Sequence, residues 1–159
     1  MRRHKQALST EENLGIINRG TSGVLALCGK DNQPYTVPLN YVYFNNKIYF
    51  HCALTGHKLD LIKENQLASF CIIDQDNIVP QEFTSYYRSV NIQGIIQIIS
   101  DEVAKRTILQ AFVQKYSAKF PIEGANEINK FIKHTCILEL TINNLTGKEA
   151  LELTKQKKV

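Results

Sequence analysis

The segment Phe50-His51-Cys52-Ala53-Leu54-Thr55-Gly56-His57-Lys58 gathers two imidazoles, a thiol, a glycine and an ammonium into one short stretch. It reads as the end of a strand running into the start of a helix. Backbone N–H groups at a helix start are free, and together with the helix dipole they bind anions. Gly56 permits close approach of the backbone, and His57 and Lys58 add donors and charge at the same end. The chemistry to expect is a phosphate cradle; the plainer alternative is a helix start with a solvated basic pair. Arg88, followed by Ser89 at the head of a long apolar stretch, can clamp a phosphate with two hydrogen bonds, or can be a surface arginine at a strand end. Val37-Pro38-Leu39-Asn40 places a proline inside an alternating stretch, which suggests a sheet edge or a place where backbone meets a ligand.

Other chemistries have less support. His51, Cys52 and His57 are metal-ligand types, but no second Cys/His pair stands at ligand spacing, so no metal centre is expected. Cys52 is not activated by His51, because neighbouring strand residues point to opposite faces. No Gly-x-Ser-x-Gly elbow, Gly-x-Gly-x-x-Gly turn or Walker loop occurs, which removes the common hydrolase, Rossmann and P-loop sites. The four cysteines, Cys28, Cys52, Cys71 and Cys136, form no Cys-x-x-Cys and sit among apolar neighbours; they read as buried reduced thiols used as small hydrophobes.

The elements that must position these residues follow from period and punctuation. Ser9 and Glu12 have capping-box spacing and open a helix over 10–19. Strands are expected at 23–28, 35–44 and 48–52, the last two joined by a tight turn at Asn45-Asn46. A helix covers 56–64. The stretch 67–74 is apolar almost throughout, as in a strand buried on both faces. A loop with Pro80 spans 76–84, and a long strand spans 86–100, where Gly94 marks a bulge or sharp bend. Helices at 101–116 and 125–133 and a strand at 136–142 complete the order. Three meandering strands without crossover helices exclude a doubly wound sheet, and the Gly94 bend suits a small barrel: an antiparallel α+β architecture with peripheral helices.

The chain has 159 residues, 43% of them hydrophobic and 21% charged, enough for one cored domain. No apolar run reaches the ~18 residues a membrane span needs. No signal peptide is read at the start, and a cytoplasmic protein is expected. The net charge is +4, but Arg2, Arg3, Lys5, Lys155, Lys157 and Lys158 lie near the two ends, leaving 13 basic against 15 acidic residues between them. A folded nucleic-acid face is not implied; weak polyanion binding by two basic tails remains the alternative.

Several motifs in order give a resemblance. Tyr35-Thr36-Val37-Pro38-Leu39-Asn40-Tyr41-Val42-Tyr43, Lys47-Ile48-Tyr49-Phe50-His51-Cys52-Ala53 and Gly56-His57-Lys58-Leu59-Asp60 resemble the nitroimidazole-resistance branch of the pyridoxamine 5'-phosphate oxidase-like flavoproteins. Val79-Pro80-Gln81-Glu82-Phe83-Thr84, Tyr87-Arg88-Ser89-Val90 and Leu145-Thr146-Gly147-Lys148 look like later signatures of that branch. The resemblance spans about residues 1–148 as one domain, with 149–159 as a polar basic tail. It implies an FMN-binding split β-barrel, antiparallel and Greek-key-like, that forms a homodimer with FMN at the subunit interface. It also implies that His57 and Lys58, after Gly56, hold the FMN phosphate. Val37, Pro38, Leu39 and Asn40 would lie along the isoalloxazine ring, with Phe50 and His51 on the next strand, and Arg88 and Ser89 would complete the contacts. His51 becomes the candidate catalytic residue, a proton donor if its pKa stays near ~6.5. The partner would be a small-molecule electron acceptor, and the activity an FMN-dependent oxidoreductase, such as a nitroaromatic reductase. Where the oxidase has an arginine-lysine pair this chain has His57-Lys58, and it lacks the arginine-rich C-terminal substrate segment, which argues against vitamin B6 oxidation. A flavin carrier or redox sensor without turnover, and a haem-binding relative using His51 or His57, are the alternatives.

Overall fold

Seven strands form a single antiparallel sheet: β1 (Ser22–Cys28), β2 (Pro34–Asn40), β3 (Val42–Phe44), β4 (Lys47–Ala53), β5 (Leu67–Val79), β6 (Thr84–Ile99) and β7 (Thr135–Glu149). The helices are α1 (Thr10–Arg19), α2 (His57–Glu64), α3 (Glu102–Tyr116), α4 (Pro121–Phe131) and α5 (Leu151–Gln156). These elements come from a computed structural model that describes residues 4–157; Arg2, Arg3 and Lys158 of the expected basic tails lie outside it. No helix among the described residues is long and apolar enough to cross a membrane.

The spatial order is β2-β1-β5-β6-β7-β4-β3. The two outermost strands are consecutive in sequence, separated only by Tyr41. The chain therefore leaves the edge of β1 at Tyr41 and pairs next with β4, which curls the sheet toward closure. This is the α+β barrel expected from the pattern, except that the expected strand over 35–44 is two strands with a kink. Pro38 pairs with Val24 on the outermost strand, the place in a sheet where a proline is tolerated.

Alternation fills the interior. Leu25, Ile48, Phe50, Phe70, Ile72 and Leu138 are buried inside, with the Phe70 ring edge-on to Tyr41 and Phe50 at centroid distances of 5.1 and 4.9 Å. On the outer face of β4 and β7, α3 covers Tyr49 and Ile137 with Ile108 and Phe112. The Ser9–Glu12 capping box is present at α1, and Asn45 and Asn46 both take positive φ in the β3–β4 turn.

Four sequence expectations change. The 76–84 loop is the tip of a hairpin: β5 runs to Val79 and pairs as far as Val79–Thr84, the ladder supplying order that the polar run Gln75-Asp76-Asn77 hides. Helix α4 begins at Pro121, a first-turn proline. β7 runs to Glu149, and 151–156, read as tail, is helical: Leu153 is buried and Lys157 is ion-paired to Glu149 at 2.7 Å. β5 is buried on one face only, since Leu67 and Ile73 are each 62% exposed while Phe70 and Ile72 point inward. The Gly94 expectation is met by a register shift: Gln93 faces Asn144 and Gly94 faces Ile142, leaving Asn143 as the extra residue.

Candidate functional site

Strand alternation sends Phe50 inward, fully buried, and His51 outward. The Phe50 side chain is thus sealed in the core, and only its backbone can meet a ligand. The His51 imidazole stands edge-on to Phe112 of α3, 4.8 Å between centroids at 88°. That apolar neighbourhood disfavours a charged ring, and burial lowers the His51 pKa below its usual value. The neutral imidazole, with one N–H donor and one lone pair, is thereby favoured over the charged ring.

β2 presents its residues in the same two-fold way. Val37 and Leu39 are half-buried against the interior, while Pro38 and Asn40 face out. Asn40 Nδ2 donates to the Thr21 carbonyl at 2.9 Å. Asn40 and His51, from opposite ends of the sheet order, line one cleft of about 360 Å³ with Phe112, Val113, Tyr116 and Ser117. A second, mostly apolar pocket of about 240 Å³ lies on the other side of His51, between α3 and α4.

The wall of the first cleft is fixed by two residues that sequence reasoning did not single out. Lys115 Nζ donates to the carbonyls of Gly20 (2.6 Å) and Tyr41 (3.2 Å), and burial lowers its pKa to about 8. Tyr116 Oη lies 2.6 Å from the Tyr41 carbonyl and 2.7 Å from that of Thr21, and accepts the Tyr41 N–H at 3.2 Å. Together they pin the kink where β2 becomes β3. The signal in the sequence was an amphipathic helix; nothing in it says which strand that helix covers.

Gly56 precedes α2 with φ of 138°, a conformation that favours glycine, and no side chain caps the helix. A Cβ at Gly56 would meet nothing within 4 Å, so the space before the first amides of α2 is open. His57 is exposed and edge-on to Tyr35 of β2 at 5.0 Å. Lys58 is half-buried, and its positive charge acts on the Cys52 and Cys136 thiols. The shallow pocket on the other side of His57 includes Asp31, Asp60 and Glu64, carboxylates that repel a phosphate. Free amides, open space, an imidazole and an ammonium fit a phosphate group, provided it enters from the Lys58 side.

Arg88 and Ser89 lie elsewhere. Arg88 pairs with Glu149 and with Gln75, and Ala53 at the end of β4 pairs with Thr135, so the two places are at opposite ends of the 15-residue strand β7. The Arg88 guanidinium is held by Glu149 at 3.1 Å and Asp74 at 3.4 Å, and Arg19 bonds the same Asp74 at 2.7 Å. Ser89 is half-buried. Within one chain these two residues do not meet His57 and Lys58. Among the described residues no group of three or more His, Cys, Asp or Glu is placed to hold a metal ion.

The lowered His51 pKa makes the stability of the fold depend on pH. The folded state binds fewer protons than the unfolded chain between the two pKa values. The resulting stability is complete above the unfolded value of ~6.5 and is lost as pH falls through the folded value. NMR titration is expected to place His51 below ~6.5, and Phe112→Ala is expected to move it upward by admitting water. An unchanged midpoint in that variant would assign the shift to another cause.

Comparison with known proteins bears on this arrangement. Residues 9–149 match a protein family described as pyridoxamine 5'-phosphate oxidase. An uncharacterized protein of Rhizobium meliloti (strain 1021) is 33% identical over 69 residues, which is 43% of this chain and 44% of that protein. The match thus spans less than half the length of that curated relative. A conserved hypothetical protein of Mycobacterium tuberculosis superposes with a TM-score of 0.82 at 16% identity, covering 99% of this chain and 92% of the other. The FAD and heme binding protein of Mycobacterium smegmatis gives 0.76 at 22%, covering 92% and 74%. A proposed 5-nitroimidazole antibiotic resistance protein of Bacteroides thetaiotaomicron gives 0.75 at 20%, covering 90% and 86%. At these identities the three structures establish a shared fold.

Proposed function

Since the chain belongs to the pyridoxamine 5'-phosphate oxidase family, we propose that it is a flavoprotein that binds FMN and passes electrons to a small-molecule acceptor, with nitroaromatic compounds as the class to try first. The observation that carries this reading is the open, uncapped start of α2 beside Lys58, at the end of the strand that carries His51. The amides of α2, His57 and Lys58 would hold the phosphate, and the β2 edge from Val37 to Asn40 would flank the ring. When bound, the flavin supplies the redox chemistry. His51 presents its imidazole to the cleft it shares with Asn40. Phe112 packs edge-on against that imidazole, and Lys115 and Tyr116 hold the kink beside the cleft.

Purified protein mixed with FMN and desalted is expected to keep a flavin spectrum at about one flavin per chain; a blank spectrum would sink the proposal. Titrating FAD and haem in parallel tests the choice of FMN, and a Soret band would favour haem. Anaerobic reduction by a nicotinamide cofactor, followed by addition of a nitroimidazole, separates enzyme from carrier: reoxidation with consumption of the nitro compound supports turnover.

A second copy of the chain belongs to this proposal. The outer face of β1 and β5 exposes the apolar side chains of Val24, Leu67 and Ile73. A homodimer would cover it and could bring Arg88 and Ser89 of one copy toward a flavin held by the other. Sedimentation is expected to show a dimer, and Ile73→Asp a monomer that has also lost flavin. A wild-type monomer at micromolar concentration would remove the dimer.

A further inference from the structure

Cys52 and Cys136 are direct register partners across β4 and β7. Both point into the barrel mouth, where Cys52 is half-buried against the core and Cys136 is buried in it. Directly opposed residues in an antiparallel pair have Cα atoms about 4.5 or 5.5 Å apart, depending on the pair type. Both values fall inside the ~4.4–6.8 Å window in which a disulfide closes without moving the backbone. The other two thiols have no such partner. Cys71 faces Val24, four positions along β1 from Cys28, about 13 Å at strand spacing.

The surroundings favour reaction at this pair. The two residues face each other across the β4–β7 ladder, and Lys58, Lys63 and Lys105 lend positive potential. Each thiol acts on the other so that one thiolate is favoured, and the pair releases its first proton below the usual thiol range and holds its second above it. Burial instead pushes the Cys71 thiol up.

We propose that Cys52 and Cys136 are a redox-active dithiol that a hydroperoxide converts to a reversible cross-strand disulfide. The thiolate of the pair attacks the terminal peroxide oxygen, forming an S–O bond and breaking the O–O bond, and the alkoxide or hydroxide that leaves takes up the proton the thiol gave on ionising. The second thiol loses its proton as its sulfur attacks the sulfenic sulfur; the S–S bond forms, the S–O bond breaks, and hydroxide takes up that proton as water. Two electrons pass from the sulfur pair to the peroxide. The product ties the end of β4, just before Gly56 and α2, to the start of β7. A disulfide directly across a ladder, with one sulfur half-exposed, belongs to the readily reduced class, so dithiols restore the pair. This assignment does not depend on flavin binding.

The full chain is reduced, treated with equimolar hydrogen peroxide, alkylated without reductant and mapped by mass spectrometry. The expected product carries alkyl groups on Cys28 and Cys71 only, with tryptic peptides 48–58 and 134–148 joined through Cys52 and Cys136. Dithiothreitol is expected to return all four thiols to alkylation. The Cys28→Ser/Cys71→Ser chain is expected to give the same link, and Cys52→Ser to lose it and accumulate sulfinic acid on Cys136. The pair is expected to oxidise about tenfold faster than Cys71 at pH 7. Four alkylated cysteines after peroxide, oxidation confined to Cys28 or Cys71, or a link only between chains would overturn the proposal. The wild-type measurement needs no variant to fold.

Discussion

Gly94→Ala is expected not to give a folded protein. A Cβ at Gly94 would stand 1.8 Å from the carbonyl oxygen of Thr141 and 2.9 Å from its carbonyl carbon, so the obstacle is backbone and no rotamer relieves it. The contact lies where β6 and β7 shift register, at the centre of a sheet in which each is paired on both sides. Relief requires separating or slipping the two longest strands, and a one-residue slip turns every inward side chain outward. The cost is expected to exceed ~4 kcal/mol, the range kept for severe steric mechanisms and a large part of a domain's total stability. Soluble yield and the urea transition measure it. Gly15→Ala is the control: its Cβ would meet only the Arg19 guanidinium, at 3.4 Å, within α1, and helix propensity predicts a gain of about 0.5–1 kcal/mol. A cooperative, native-like transition in Gly94→Ala would mean that the β6–β7 crossing is looser than described.

His57→Ala combined with Lys58→Ala is expected to weaken FMN binding about 10²–10³-fold while leaving the melting curve close to wild type. Hydrogen bonds to a charged group contribute about 1.5–3 kcal/mol each, and two lost together amount to some 3–4 kcal/mol because the α2 amides remain. Neither side chain is in the core, since His57 is exposed and Lys58 half-buried, so folding is spared. Fluorescence titration of FMN against riboflavin reads the effect. The variant should lose its preference for the phosphorylated form, and riboflavin affinity should barely move. Equal losses for both ligands would place the phosphate elsewhere.

Much of this arrangement was legible in the residues, and the reasons differ from place to place. The capping box at Ser9, the paired asparagines at 45 and 46 and the Gly94 shift are local signals with one structural solution each. The Gly56-His57-Lys58 helix start was legible for the same reason: its chemistry is carried by the backbone it begins. Arg88 was not, because its carboxylate partners, Asp74 and Glu149, are 14 and 61 positions away and no short-range pattern encodes that meeting. The Tyr41 kink was hidden because alternation runs unbroken through it; the break is imposed by Lys115 and Tyr116 from a distant helix. The Cys52–Cys136 juxtaposition needed a register, and register between strands that far apart is set by the whole sheet.

The place of β7 also governs the order in which the chain can assemble. β4 has two ladder partners, its hairpin mate β3 and β7, which lies about ninety residues downstream. β1, β2, β5 and β6 can pair as they leave the ribosome, whereas the β3–β4 hairpin must wait for the last strand. Contacts of such sequence separation are slow to form because loop-closure entropy precedes any gain. The strand that carries His51 and leads into α2 is therefore the last to be seated. A nascent chain stalled before residue 135 should present an ordered four-strand sheet beside an unpaired hairpin that chaperones recognise.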